Sequence, residues 1–364
     1  MSRTAPVEKT VSIIIPTYNE RDNIAPLVRR LHGALSGYDC EIVFVDDNSR
    51  DGTAEAVSVL CVAYPVRLIV RRNERGLASA VLEGIRQTNS KIVVVMDADL
   101  QHPPEIIPGL LKAVDGGADI AVASRYVKGG GCYGWGLLRR VISKGAIVLA
   151  HLFLPSTRQV NDVASGCFAL KRSVLTGADL SPVGFKILLE VLVVGKWDKV
   201  VEVPYIFRTR SAGESKLRLS QQVDYLKHIW SLMSRTGELL RFLKFCLVGA
   251  SGVVVNEGLL WLLRQFAGLS LPLASAISIE ASIISNFTLN DYLTFRDRRV
   301  RGLRAFFMRL GKFNVVSLAG LGINMGTLLA LTYLLGVHYL ISNLVGIALA
   351  VIWNYLVNLR WTWK

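Results

Sequence analysis

Two carboxylates one residue apart, Asp97 and Asp99, follow four apolar residues in "VVVMDADLQHPPE" (93–105), with Gln101, His102 and a Pro-Pro pair behind them. A buried strand has no use for acids at its end. This spacing serves a polar turn, a divalent-metal site or half of an acid–base pair. Two further apolar runs end in the same manner: "VSIIIPTYNE" reaches Glu20, and "EIVFVDDNSRDGT" reaches Asp46 and Asp47. Mg2+ and Mn2+ take oxygen ligands and commonly complete their shell with substrate phosphates, so acids at a strand end can hold an ion that neutralises a diphosphate. The company of two other acidic strand ends favours the metal over the turn. His102, standing before Pro-Pro, reads as a loop-packing residue rather than a third ligand.

The elements that must position these groups follow a rhythm of strand, polar loop and helix. "VSIII" ends at Pro16, "EIVFV" at Asp46-Asp47, "VRLIV" near Arg71 and "KIVVVM" at Asp97, with helical stretches over 23–35, 54–62 and 77–87 between them. Such alternation implies a mainly parallel sheet with its ligands at the carboxyl ends of the strands. One cleft is then lined by Glu20, Asp46, Asp47, Asp97 and Asp99. No GxxxxGK[ST] or GxGxxG follows the first strand, which excludes P-loop and dinucleotide-binding readings.

Five cysteines are scattered without a CxxC pair, pointing to a reducing compartment and away from zinc. The net charge of +14 is unaccompanied by any nucleic-acid-binding motif. Anionic headgroups and a phosphate-bearing substrate fit it better, with no nucleic acid expected. The first apolar run, from Val11, is too short for a secretory signal, so the N-terminal domain is expected in the cytoplasm.

Beyond residue 241 the chain becomes apolar enough for four membrane spans, over 242–263, 271–293, 313–335 and 340–359. The second pair repeats the first at a constant offset of 68 residues: Lys244-Phe245 returns as Lys312-Phe313, Gly252 as Gly320, Asn256 as Asn324, Gly258 as Gly326, and "NFTLNDYLTF" as "NYLVNLRWTW". Asn256, Asn286, Asn324 and Asn354 are expected to hydrogen-bond between helices rather than line a polar path, with the glycines permitting close approach. Arg296, Arg298, Arg299, Arg301, Arg304, Arg309 and Lys312 between the repeats face one acid, Asp297. The positive-inside rule places that loop and both termini in the cytoplasm. Three segments result: a catalytic domain over 1–218, an interfacial helix over 219–240 and a membrane domain over 241–364. "GWGLLRRVISKGAIVLAHLFL" (134–154), with one apolar face and basic flanks, reads as a helix lying in the membrane interface.

"SIIIPTYNERDNI", "VDDNSRDGT", "MDADLQHPPE", "SRYVKGG" and "RSAGESKL", in that order, resemble a family 2 glycosyltransferase, and more narrowly the polyprenyl-phosphate (dolichol-phosphate) mannosyltransferases. The spans resemble the GtrA-like membrane domain carried by some members. The resemblance implies an α/β domain of the Rossmann-like GT-A fold followed by an all-α domain of four transmembrane helices. It implies GDP-mannose bound by Pro16, Tyr18, Glu20, Val45, Asp47, Asp97, Ala98, Asp99, Arg125, Arg210 and Lys216, the last three also meeting the negative charge of the second substrate. Asp46 would instead brace its loop. Asp99 and Gln101 would hold Mg2+ or Mn2+. Arg125, Arg139 and Ser143 would receive the phosphate of a dolichyl or polyprenyl carrier at the bilayer. The implied reaction transfers mannose to that phosphate with inversion, feeding glycosylation or glycolipid synthesis, and Asp99, Arg125, Arg139 and Ser143 carry it. A UDP-glucose-dependent enzyme, and outside enzymes a lipid-sugar flippase or membrane scaffold, are the competing readings.

Overall fold

The computed structural model describes residues 10–184, 186–208 and 219–364, without the side chains of Leu219 and Ser220. The chain divides into two compact units between Thr236 and Gly237.

In the first unit β1 (Val11–Thr17), α1 (Arg21–Ala34), β2 (Cys40–Asp46), α2 (Thr53–Leu60), β3 (Val66–Val70), α3 (Leu77–Arg86) and β4 (Ile92–Val95) alternate. There follow α4 (Ile107–Asp115), β5 (Ile120–Ser124), the short β6 (Gly131–Cys132), α5 (Leu137–Phe153), β7 (Phe168–Lys171), α6 (Ile187–Val194), β8 (Val200–Pro204), the short β9 (Ile206–Phe207) and α7 (Leu219–Arg235). β1 and β2 are buried almost throughout, as strands covered by helices on both faces must be. From α1, Ile24, Leu27, Val28 and Leu31 recur at helical spacing and enter the core. α3 lies so close to the sheet that a Cβ on Gly84 would come within 2.5 Å of Ile14 Cγ2 and 3.1 Å of Val45 Cγ2.

The main sheet has the order β3-β2-β1-β4-β7-β5-β8. β1 to β4 are mutually parallel, as the alternation of elements requires. β7 is the exception, running antiparallel between β4 and β5, with Val95 opposite Phe168. Its four residues, "FALK", carry no directional signal of their own.

α7 packs within the first unit. Tyr225 Oη donates to the Ala146 carbonyl at 2.7 Å, His228 Nε2 lies 2.7 Å from Glu190 Oε2, and Arg235 Nη1 donates to Glu190 Oε1 at 2.6 Å. α5 and α7 both leave apolar side chains in the open: Leu137 is 80% exposed, Leu138 73% and Trp230 60%.

The second unit is all-α: α8 (Glu238–Gln265), α9 (Leu271–Leu289), α10 (Leu303–Leu329) and α11 (Tyr339–Val357). α8 pairs with α9, and α10 with α11. Each pair ends in a π-turn at equivalent positions of the repeat, Asn290–Thr294 and Asn358–Thr362. The asparagines meet glycines where the offset demands: a Cβ on Gly252 would collide with the Asn286 amide, and one on Gly320 with that of Asn354. Close approach is realised, but the amide oxygens do not take up the expected hydrogen bonds. The Oδ1 atoms of Asn256, Asn286, Asn324 and Asn354 have no hydrogen-bond partner among the described residues.

Among the described residues, three helices are long and apolar enough to cross a membrane: Glu238–Gln265, Leu303–Leu334 and Tyr339–Thr362. The remaining expected span falls on α9, whose apolar character is diluted by Glu280 and four serines. Part of the basic loop is structural. Asp291, fully buried, accepts from Arg309 Nε at 3.0 Å and Trp363 Nε1 at 2.8 Å, and Arg299 Nε lies 3.0 Å away.

Candidate active site

The carboxyl ends of β1, β2 and β4 open onto one cavity of about 620 Å3, closed on its other side by α5 and α7. Its walls bring together Pro16, Tyr18, Glu20, Asp47, Asp97, Ala98, Asp99, Gln101, Arg125, Arg139 and Ser143, which are spread over more than a hundred residues of sequence. Val45 is not on the wall: it is fully buried in β2, two residues before Asp47. Arg210 and Lys216 lie outside the described residues.

The three strand-end loops share a backbone peculiarity. Asn19, Asn48 and Leu100 have φ of 57°, 56° and 59°, and they account for every non-glycine residue with positive φ among the described residues. Asparagine tolerates this region and leucine does not, so the DxD loop at Leu100 is held against a local preference. The first two loops interlock: Asn19 N–H donates to Ser49 Oγ at 2.9 Å, and Arg50 N–H to Asn19 Oδ1 at 3.2 Å. Asp46 accepts from Ser49 N–H at 2.8 Å, Ser49 Oγ at 2.6 Å and Thr17 Oγ1 at 3.1 Å, and so braces the turn.

Asp47 has partners the sequence did not announce. Arg71 Nε donates to its Oδ1 at 2.8 Å and Gly76 N–H to its Oδ2 at 2.7 Å. A carboxylate has about four acceptor positions, so Asp47 can still receive a ligand N–H or O–H while Arg71 keeps it in place. Glu20 accepts from Asn23 Nδ2 at 2.7 Å.

In the DxD loop, Asp99 Oδ1 accepts from Gln101 N–H at 3.1 Å, and Gln101 Nε2 donates to the Arg208 carbonyl at 3.2 Å. With its nitrogen committed there, Gln101 would meet a cation through its amide oxygen. Among the described residues no three His, Cys, Asp or Glu side chains converge on one point. The oxygen donors of Asp99 and Gln101 suit a hard divalent ion that shares its shell with substrate phosphates. Gly166, which no motif marked, borders Asp97 so closely that a Cβ there would strike its carboxylate. His102 is buried, stacks on Tyr205 at 5.2 Å and meets the edge of Phe207 at 5.3 Å. Burial first, then the Arg125 charge, pull its pKa down to about 3, so it packs the loop as a neutral imidazole.

Arg125 sits nearly buried against Asp162, donating from Nε and Nη2 to its two oxygens at 2.7 Å each. Desolvation opposes its charge, but the Asp162 bond and charge outweigh this and hold it protonated well above the usual range. Trp135 stands under both arginines, 5.3 Å from Arg125 and 4.2 Å from Arg139. Arg139 and Ser143, four apart on α5, present one face to the cavity. Ser143 Oγ accepts from Tyr126 Oη at 2.8 Å, which leaves its own proton to donate. Lys186, also unmarked in the sequence, lines the same wall and donates to the Ala164 carbonyl at 2.9 Å. Desolvation, then repulsion from Arg125, lower its pKa to about 8. Asp162, Lys186 and Gly166 belong to no short motif. Only their buried polar or small character in otherwise apolar stretches could have singled them out.

The one cavity therefore brings carboxylates and cations together, an arrangement fitted to a metal–diphosphate beside a second anion. Two family models match the chain: glycosyl transferase family 2 over residues 12–176 and the GtrA/DPMS transmembrane domain over 244–363. The dolichol-phosphate mannosyltransferase of Pyrococcus furiosus is 49% identical over 355 residues, covering 97% of this chain and 99% of that protein. The Saccharomyces cerevisiae protein of the same name is 39% identical over 250 residues, covering 64% of this chain and 92% of its own. Polyprenol monophosphomannose synthase of Mycolicibacterium smegmatis is 39% identical over 222 residues, covering 58% and 82% respectively. Shared length and identity at this level place the chain, a membrane-bound glycosyltransferase, in the dolichol-phosphate mannosyltransferase family.

Proposed function

We propose that this protein transfers mannose from GDP-mannose to a dolichyl or other polyprenyl phosphate, with inversion, at the cytoplasmic membrane face. The observation that carries the reading is the cavity whose wall brings the carboxylates Glu20, Asp47, Asp97 and Asp99 together with Arg139, Ser143 and Lys186. The relatives' names supply the sugar and the carrier class.

Glu20 and Asp47 accept from the base edge or ribose hydroxyls, with Asp47 fixed by Arg71. Asp99 and Gln101 would hold Mg2+ or Mn2+, whose charge offsets that developing on the departing diphosphate. Arg139 and Ser143 orient the carrier phosphate, and Lys186 offsets repulsion between the two anionic substrates. A phosphate oxygen attacks the anomeric carbon as its bond to GDP breaks, so an α-linked donor gives a β-linked product. The attacking phosphate is already ionised near neutrality, and no side chain need remove a proton. Arg125, neutralised by Asp162, acts by fixing the Trp135 platform and offering its remaining N–H groups.

The exposed apolar residues of α5 and α7, with Arg139, Arg140 and Lys144 beside them, suit a bilayer surface from which the carrier enters. The basic loop favours cytoplasmic termini, and α9 completes four spans in two tandem hairpins. A parallel assay with GDP-mannose and UDP-glucose, each with polyprenyl phosphate, tests the donor. Mannosyl lipid formed from GDP-mannose and abolished by EDTA is expected. Turnover of UDP-glucose alone would sink the reading.

A further inference from the structure

The membrane unit holds a second polar cavity, of about 520 Å3, beside the first two turns of α8. Arg241 and Lys244 line it from α8, and Thr294, Arg296 and Asp297 from the end of the first repeat. Three cations face one carboxylate, and that carboxylate is engaged: Arg241 Nη2 donates to Asp297 Oδ2 at 2.7 Å. Lys244 and Arg296 are exposed and form no ion pair among the described residues. Thr294 is 5% exposed, and its Oγ1 has no hydrogen-bond partner among the described residues. Gly237, the N-cap of α8, adds a helix N-terminus to the same wall. A buried hydroxyl left without a partner, two uncompensated cations and the positive end of a 28-residue helix together call for an anion rich in acceptor oxygens.

The tandem repeat supplies a comparison within the same chain. Thr294 returns as Thr362, whose Oγ1 donates to Asn358 Oδ1 at 2.6 Å. Lys244 returns as Lys312, whose Nζ donates to the Trp361 carbonyl at 3.2 Å and lies 5.6 Å from its ring. The second copy satisfies these groups from within, whereas the first leaves the same groups at the mouth of a cavity. That mouth lies at the start of a helix long and apolar enough to cross a membrane, the level at which lipid headgroups stand.

We propose that this cavity is a phosphate-binding site, in which Lys244, Arg296 and Thr294 hold the phosphate of an anionic lipid headgroup. It is separate from the catalytic cavity and does not depend on the sugar transferred.

The test uses the full chain in nanodiscs of phosphatidylcholine, with and without phosphatidylglycerol, and in phosphatidylcholine nanodiscs titrated with inorganic phosphate. Thermal melting is the readout. Phosphatidylglycerol is expected to raise the wild-type melting temperature. The Lys244→Gln/Arg296→Gln double variant loses that rise, and Thr294→Val needs about tenfold more anionic lipid for half the effect, as loss of one charge-assisted hydrogen bond implies. Lys312→Gln, the equivalent change in the second repeat, keeps the full response. A rise with inorganic phosphate alone, lost in the same variants, upholds the site and assigns it to a soluble anion. The proposal is overturned if wild type responds to neither probe. It is equally overturned if the double variant responds like wild type, or if Lys312→Gln loses as much, since the effect is then diffuse surface charge. Should the double variant fail to fold, Thr294→Val, nearly isosteric, decides by the same criterion.

Discussion

Lys186 is a cavity-wall cation whose charge changes just above neutral pH. With its pKa lowered to about 8, Lys186 is charged below that value and neutral above it. Anion affinity that depends on it therefore falls as pH rises through 8, and bound phosphate shifts the fall upward. We expect the KM for the nucleotide sugar to rise on the alkaline side, and Lys186→Gln to raise KM about tenfold at pH 7 and flatten that dependence; a pH series of initial rates checks both. Asp99→Ala should cut kcat by about 10²- to 10³-fold, the size seen when one preorganised electrostatic contact is lost, with expression unchanged. The carboxylates were legible because a short run of sequence carries both the strand and the acid at its end. Asp162, Lys186 and Arg71 were not: each reaches the site from a remote segment, and nothing local to "NDVAS" or "GFKIL" records which partner it will meet.

Among the elements, α3 and β7 fix where the strand ends lie. Gly84 allows α3 to rest against Ile14 and Val45, so Gly84→Ala should push the helix outward and lower stability by about 1–3 kcal/mol. Thermal inactivation measures that loss. Gly166→Ala makes the opposite case: its methyl group strikes the Asp97 carboxylate, so kcat/KM should fall while melting temperature barely moves. The alternation of strands and helices revealed the parallel core of the sheet. It could not reveal β7, because four residues paired to strands on both sides show neither direction nor neighbour in their composition.

For the whole molecule, the internal repeat was the most legible feature, since Gly252 with Asn286 and Gly320 with Asn354 preserve one contact twice. Gly252→Leu and Gly320→Leu should each force a helix pair apart and lower the detergent-solubilised melting temperature, whereas Gly258→Leu, with open space around it, should be tolerated. A chain ending at Thr236 contains the whole catalytic cavity and should keep its transferase activity when donor and lipid acceptor are supplied in detergent. The antiparallel β7 has a consequence for synthesis. β4 and the DxD loop leave the ribosome early, yet the neighbours that complete them, Phe168 along the strand, Gly166 beside Asp97 and the Arg208 carbonyl on Gln101, are translated much later, the last of them 107 residues after its partner. Pairing across such separations is slow and waits on the late segment. A nascent chain therefore displays acids without a site, and its DxD loop acquires a fixed shape only once those late segments have been made, shortly before the first membrane helix.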